Sequence, residues 1–264
     1  MTFAVEASSS ILASLKASGV DPFKYTKRGK RKCASGLWSA SAKTIKSEES
    51  GDADLALVLY FKAGAFCPFM SQGCYAACLG EHAGRMVMQG CQRAQVNRSL
   101  YWLLDRQAFI ADLASDAAKR IASRQRKLGR RIRVTIRLNG TSDLQGLAKV
   151  RAAIREACAH IDADLAFYEY TKNWDTKALD HHVTLSRSEM TTDSQIVEAA
   201  SRGLNVAVVF STKRKQPLPT TYLGLPVIDG DISDDRTRDP KGCIVGLRAK
   251  GRMSKDTTGM VVRL

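Results

Sequence analysis

Cys67, Cys74 and Cys78 fall within twelve residues, in the segment Phe66-Cys-Pro-Phe-Met-Ser-Gln-Gly-Cys-Tyr-Ala-Ala-Cys-Leu-Gly80. Thiolates are soft ligands suited to iron–sulfur clusters and to zinc. Cys74 and Cys78 are four apart and share a face if a helix carries them. Pro68 and Gly73 bracket a turn that lets Cys67 fold back, so the spacing predicts three sulfurs converging on one point. The chain has seven cysteines, an odd number that excludes a fully paired disulfide framework within it. In a reducing compartment, clustered cysteines are more often metal ligands or catalytic groups. His82 extends the pattern to Cys-x6-Cys-x3-Cys-x3-His, a structural zinc composition. On a continuous helix, residues 74 and 82 would stand roughly 12 Å apart along the axis. That is too far for one ion with ligand bonds of about 2.0–2.3 Å. An iron–sulfur cluster, of the 4Fe–4S type, is therefore the expected cofactor, with zinc as the alternative. The fourth ligand is open. Cys91 could return to the site or pack in the core, and Cys158 and Cys243 read as core residues.

A second set of polar residues recurs at the ends of apolar runs: Asn139 and Asp143; Thr171, Lys172 and Asn173; Ser186, Arg187, Ser188 and Glu189; Ser211, Thr212 and Lys213; Asp229 and Asp231. In parallel α/β architectures the C-terminal strand ends line the active site. The pattern predicts a pocket in which Asn139, Tyr170, Ser186 and Asp229 contact substrate. Lys172 would bind an anionic group, and Asp143 or Glu189 would handle protons. The aspartates at 229–239 read as a solvated loop paired with Arg236 and Arg238. The pair His181-His182 reads as flanking a strand.

These residues need a scaffold. Residues 55–61 are apolar throughout, the signature of a strand buried on both faces. Residues 92–127 carry an apolar face at helical spacing. Strands are expected at 133–138, 165–170, 182–186, 205–210, 226–228 and 243–247, and helices at 147–160 and 193–202. Alternating strands and helices argue for a largely parallel sheet. No Gly-rich dinucleotide loop follows any strand, so an incomplete (β/α) barrel fits better than a doubly wound sheet. Residues 1–54 read as a basic N-terminal arm or hairpin with a short helix at 9–17, and residues 55–264 as the α/β partial barrel.

The chain has 264 residues, 44% of them hydrophobic, and a formal net charge of +15. Such charge attracts polyanions, so nucleic acid is a candidate partner. The run Lys24, Lys27, Arg28, Lys30, Arg31, Lys32 and the nine Lys or Arg between residues 117 and 142 are where contact with phosphates is expected. No apolar run approaches the roughly 20 residues that span a bilayer, and the N-terminus lacks the pattern of a signal peptide. No membrane role and a cytoplasmic location are expected.

The cysteine loop resembles that of phage and plasmid proteins with the gene product 88 type domain and related phage proteins of unknown function. So do Arg137-Leu-Asn-Gly-Thr-Ser-Asp143, Phe167-Tyr-Glu-Tyr-Thr-Lys172, Leu185-Ser-Arg-Ser-Glu189, residues 205–210, Val227-Ile-Asp-Gly-Asp231 and residues 244–251. The resemblance covers about residues 55–260. It implies a phage-encoded protein of the host cytoplasm, with a barrel like that of radical SAM enzymes and an iron–sulfur site. The spacing here departs from that superfamily's Cys-x3-Cys-x2-Cys, and no Gly-Gly-Glu segment follows the loop, which argues against S-adenosylmethionine binding.

Overall fold

The computed structural model describes residues 36–39, 45, 48–49, 51–82, 84–175 and 180–264. The helix expected at 9–17 and the basic run at 24–32 lie outside the described residues. Eight strands form one open sheet: β1 (Leu55–Val58), β2 (Ile132–Arg137), β3 (Ala163–Thr171), β4 (His182–Ser186), β5 (Asn205–Phe210), β6 (Thr221–Tyr222), β7 (Leu225–Asp229) and β8 (Ile244–Arg248). Their order is β1-β2-β3-β4-β5-β8-β7-β6. All neighbours are parallel except β6 and β7, which pair antiparallel. β1 to β5 lie in chain order, as the alternating pattern requires, and the sheet does not close.

The helices are α1 (Gln72–Ala76), α2 (Leu79–His82), α3 (Gln89–Leu104), α4 (Arg106–Leu128), α5 (Ala148–Ala157) and α6 (Asp193–Ser201). The long helix expected at 92–127 is two helices. Asp105 leaves the helical region (φ −153°, ψ 71°), and its carboxylate accepts the Ala108 N–H, so it caps α4. Aspartate is a favoured N-cap because its oxygen satisfies a donor the helix cannot. No described helix is long and apolar enough to cross a membrane.

Two apolar cores form on the helical side. Leu57, Ile132, Val134, Ile136 and Phe167 meet Phe109, Leu113, Ala117 and Ile121 of α4 and Val150 and Ile154 of α5. Val183, Leu185, Val206, Val208, Phe210 and Ile244 meet Ile196 and Ala199 of α6. The opposite face carries polar residues. Its N-terminal half is covered by the 3₁₀ turn Arg236–Arg238. Arg133 donates from this face to Asp235 at 3.0 Å and to Thr237 at 2.6 Å. Asp239 and Asp235 pair with Arg236 and Arg238 as expected, whereas Asp229 and Asp231 pair with Arg248. Asp235, however, is buried rather than solvated.

Phe109 is fully buried, with ring centroids 5.4–5.6 Å from Tyr101, Trp102 and Phe61. Phe109→Ala is expected to destabilise the protein by about 3–5 kcal/mol, read from urea unfolding. Because Phe61 begins the cysteine segment, the same variant should speed thiol labelling of Cys67.

Candidate metal centre

β1 ends at Val58, but the chain keeps its bond to the sheet for one more residue. The Leu59 N–H donates to the Arg137 carbonyl, and Gly140 donates back to that of Leu59, both at 2.9 Å. Phe61 and Phe66 then stack at 5.2 Å, and Phe61 lies 5.6 Å from Phe109. This aromatic stack pins both sides of the turn that delivers Cys67. Aromatic burial of this kind is worth more than its area alone. Lys62 reaches forward to Glu81 at 2.6 Å and ties the start of the segment to its end.

Ser71 caps α1, its hydroxyl accepting the Cys74 N–H at 3.2 Å. α1 stops at Ala76, Cys78 lies between the helices, and α2 begins at Leu79. The continuous helix through 74–82 is therefore not formed, and the 12 Å axial argument against His82 loses its premise. What counts against a Cys3His ion site is convergence itself. Among the described residues, no three His, Cys, Asp or Glu side chains meet closely enough to hold one metal ion.

Two glycines let this segment lie against the C-terminal strand ends. A Cβ on Gly80 would stand 2.7 Å from the Thr141 Cβ and 2.9 Å from that of Ala63. A Cβ on Gly73 would stand 2.2 Å from the Thr258 hydroxyl and 2.8 Å from a Glu189 carboxylate oxygen. Glu189, just past β4, accepts the Gly73 N–H and the Ser71 hydroxyl, both at 2.7 Å. Burial works against its charge, but these two hydrogen bonds outweigh it and hold its carboxyl below the usual glutamate range. Residues 256–262 close the other side. Asp256 accepts from Thr258, Gly259 and Val261, and Arg187 donates to the carbonyls of Gly259 and Met260.

The three thiols are half-buried and free of disulfides. Burial pushes Cys67 up to about 11; neighbouring Cys78, Cys74 and Asp143 push the same way, and the Gly64 N–H opposes them. Burial also raises Cys78, against the N–H groups of Glu81 and Gly80. The mutual influence of the sulfurs places them in one electrostatic neighbourhood. Cys67 and Cys78 are protonated at neutral pH in this form, so a metal would bind by displacing protons. Backbone N–H groups aimed at sulfur are the donors that tune a thiolate-held cluster. Cys91 stands in the first turn of α3, a separate element.

The polar strand ends take several roles. Asp143 is buried, and its carboxylate accepts the Lys172 N–H at 2.8 Å and the Gln145 amide at 3.0 Å. Its own N–H donates to the Phe66 carbonyl at 2.9 Å, beside Cys67. Burial raises its proton affinity, against the Lys172 N–H and the Thr171 hydroxyl. The half-buried Lys172 lies close enough for its charge to reach Asp143. Asn139 is 1% exposed; its amide bonds Leu144, Ser142 and Glu169, so it organises the loop internally. Tyr170 lies under the Arg137 guanidinium at 4.7 Å. Ser186 is half-buried at the end of β4. Asp229 is held by Arg248 in two bonds of 2.9 Å on β7, three places along the sheet from β4, and is not brought to the others. His181 bridges Glu169 at 2.7 Å and Asp180 at 3.1 Å. Sequence reasoning missed Thr141, Thr258 and the clasping role of Glu189. The capping serine before Gln72 was a local signal for α1, but its long-range partners left none.

Residues 25–264 match the family described as gene product 88, and the chain belongs to that family. The match begins further toward the N-terminus than the resemblance read from residues 55–260. No curated protein and no solved structure matches the chain.

Because Glu189 has a lowered folded-state pKa, its clasp stabilises fully above the unfolded glutamate value and is lost as pH falls through the folded one. Thermal midpoints of wild type and Glu189→Gln, followed from pH ~7 to ~3, should differ most at neutral pH and converge on acidification.

Proposed function

We propose that this gene product 88 protein holds an iron–sulfur cluster, of the 4Fe–4S type, on Cys67, Cys74 and Cys78, beside a ligand pocket at the strand ends. The observation that carries the reading is the grouping of three disulfide-free thiols within mutual electrostatic reach, with amide donors aimed at two of them, on a segment tied to the β2 tip and to Glu189 past β4. A cluster spreads its iron atoms over a wider span than one ion and accepts thiols that do not meet at a point. When bound, it would supply electron transfer or, at an iron without a cysteine ligand, a Lewis-acid position. The chain's own part is to keep that position framed. Asp143, whose proton affinity burial raises, lies next to Cys67, Lys172 offers positive charge, and the aromatic stack of Phe61 and Phe66 excludes water from behind the loop. The in-order strands support reading the sheet as a partial barrel resembling that of radical SAM enzymes. Radical chemistry with S-adenosylmethionine is not part of the proposal.

The alternative is a zinc-stabilised nucleic-acid binder without catalysis, resting on the net charge of +15. Ion pairs occupy much of the basic stretch on which it draws. Arg120, Arg124, Arg130, Arg131 and Arg133 each face an acidic partner. Lys119 and Arg126 line a groove of about 500 Å³ between α4 and α5, to which the cysteine segment contributes nothing.

Anaerobically purified protein should be brown, with iron and a broad absorption near ~400 nm. Cys67→Ala, Cys74→Ala and Cys78→Ala should each remove most of both. A colourless preparation with stoichiometric zinc, together with DNA or RNA binding that falls steeply with salt, would establish the alternative instead.

A further inference from the structure

The face of the sheet away from the helices carries an arginine that no described carboxylate holds in an ion pair. Leu57, Ile136 and Phe167 point into the helical core, so the next residues along each strand point the other way. Val58 pairs with Arg137 and Tyr168 with His182; Ile136 pairs with Phe167, which sets Arg137 abreast of Tyr168. Arg137 thus stands near the C-terminal end of β2, on the same edge as the cysteine segment. Its Nε donates to the Asn139 carbonyl at 2.9 Å, and its guanidinium lies over the Tyr170 ring at 4.7 Å. Its two terminal amino groups have no hydrogen-bond or ion-pair partner among the described residues.

Other arginines with buried or half-buried side chains are treated differently. Arg151 is held by Asp180, Arg248 by Asp229 and Asp231, and Arg133 by Asp164 and Asp235. Arg137 is half-buried, its terminal donors open to a ligand, and a stacked ring holds the guanidinium in place. Around it stand Tyr60, Tyr168 and Tyr170, near enough, with Asp234, to act on its charge. Their hydroxyls likewise have no hydrogen-bond partner among the described residues. Burial raises Tyr168 and Tyr170, the latter to about 12, so both stay O–H donors at physiological pH. The Tyr60 ring packs against Gly140, where a Cβ would stand 2.6 Å away, so no larger residue fits between the ring and the β2 loop. The lower half of the same face is closed by the bonds from Arg133 to Asp235 and Thr237.

We propose that Arg137, framed by the hydroxyls of Tyr60, Tyr168 and Tyr170, forms an anion-binding subsite that receives a phosphate group of the ligand. The guanidinium fork offers two parallel donors, the arrangement suited to bidentate contact with phosphate. The tyrosines come from the strands on either side, so donors surround a tetrahedral group rather than lining up in one plane. The subsite deepens the proposed pocket by giving its ligand a phosphate, but its ability to bind phosphate does not depend on the metal.

Titration calorimetry of the full chain with inorganic phosphate, at constant ionic strength and with iron measured in the same samples, tests this. Saturable phosphate binding is expected whatever the iron content, so failure of the cluster reading would not be mistaken for failure of this one. Arg137→Gln should weaken binding by about tenfold or more, as loss of a charged hydrogen-bonding group implies. Tyr168→Phe keeps the ring and should weaken it by a few-fold, roughly the worth of one neutral hydrogen bond. Lys127→Gln, on exposed α4, should leave it unchanged. Absence of saturable binding, equal affinity in wild type and a folded Arg137→Gln, or tighter binding of acetate than of phosphate would each overturn the assignment.

Discussion

A carboxylate past the end of β4 holds the cysteine segment in place. Glu189 accepts the Gly73 N–H in the first turn of α1 and the hydroxyl of its Ser71 cap, bonds that no residue of the short helix supplies. The bond joins two parts of the molecule with separate apolar cores, one around α4 and α5 and one around α6. Without it, a five-residue helix has little reason to exist, since helices that short are not stable alone. The positions of Cys74 and Cys78 therefore depend on a residue that is neither a ligand nor near them in sequence.

The thiols follow from that placement. Seated between the β2 tip and residues 256–262, they are sheltered enough for burial to keep protons on Cys67 and Cys78, while Gly64, Gly80 and Glu81 keep their N–H groups turned toward the sulfurs. These opposing effects suit thiols that would release their protons only on binding a metal, as the proposed cluster requires. Asp143 lies between this segment and the polar face of the sheet, with its N–H on Phe66 and its carboxylate on Lys172.

Much of the scaffold was legible because it depends on local pattern. β4 and β5 fall where residues 182–186 and 205–210 predict them, since apolar runs of that length in a parallel sheet suit no other element. The break at Asp105 was present in the sequence as a capping aspartate, but helical periodicity on both sides hid it. The break after Ala76 has no Gly or Pro at the point of rupture; Gly80 packing on Thr141 and Ala63 accompanies it. The polar strand ends were visible as a group, but their roles were not. Asn139 and Asp229 spend their polarity on Leu144, Ser142 and Arg248. Arg137 looked like one more charge in a basic stretch until its place over the Tyr170 ring, outside any ion pair, set it apart.

The contacts of Gly73 carry a consequence for how the protein is made. Its neighbours are Glu189 and Thr258, both of which leave the ribosome long after the cysteines do. The core around α4 and α5 draws on residues up to Phe167 and can gather first, as nascent chains allow. The cysteine segment stays unclasped until Glu189 has emerged. A chain cut short before Glu189 would carry the three cysteines without the bonds that seat α1.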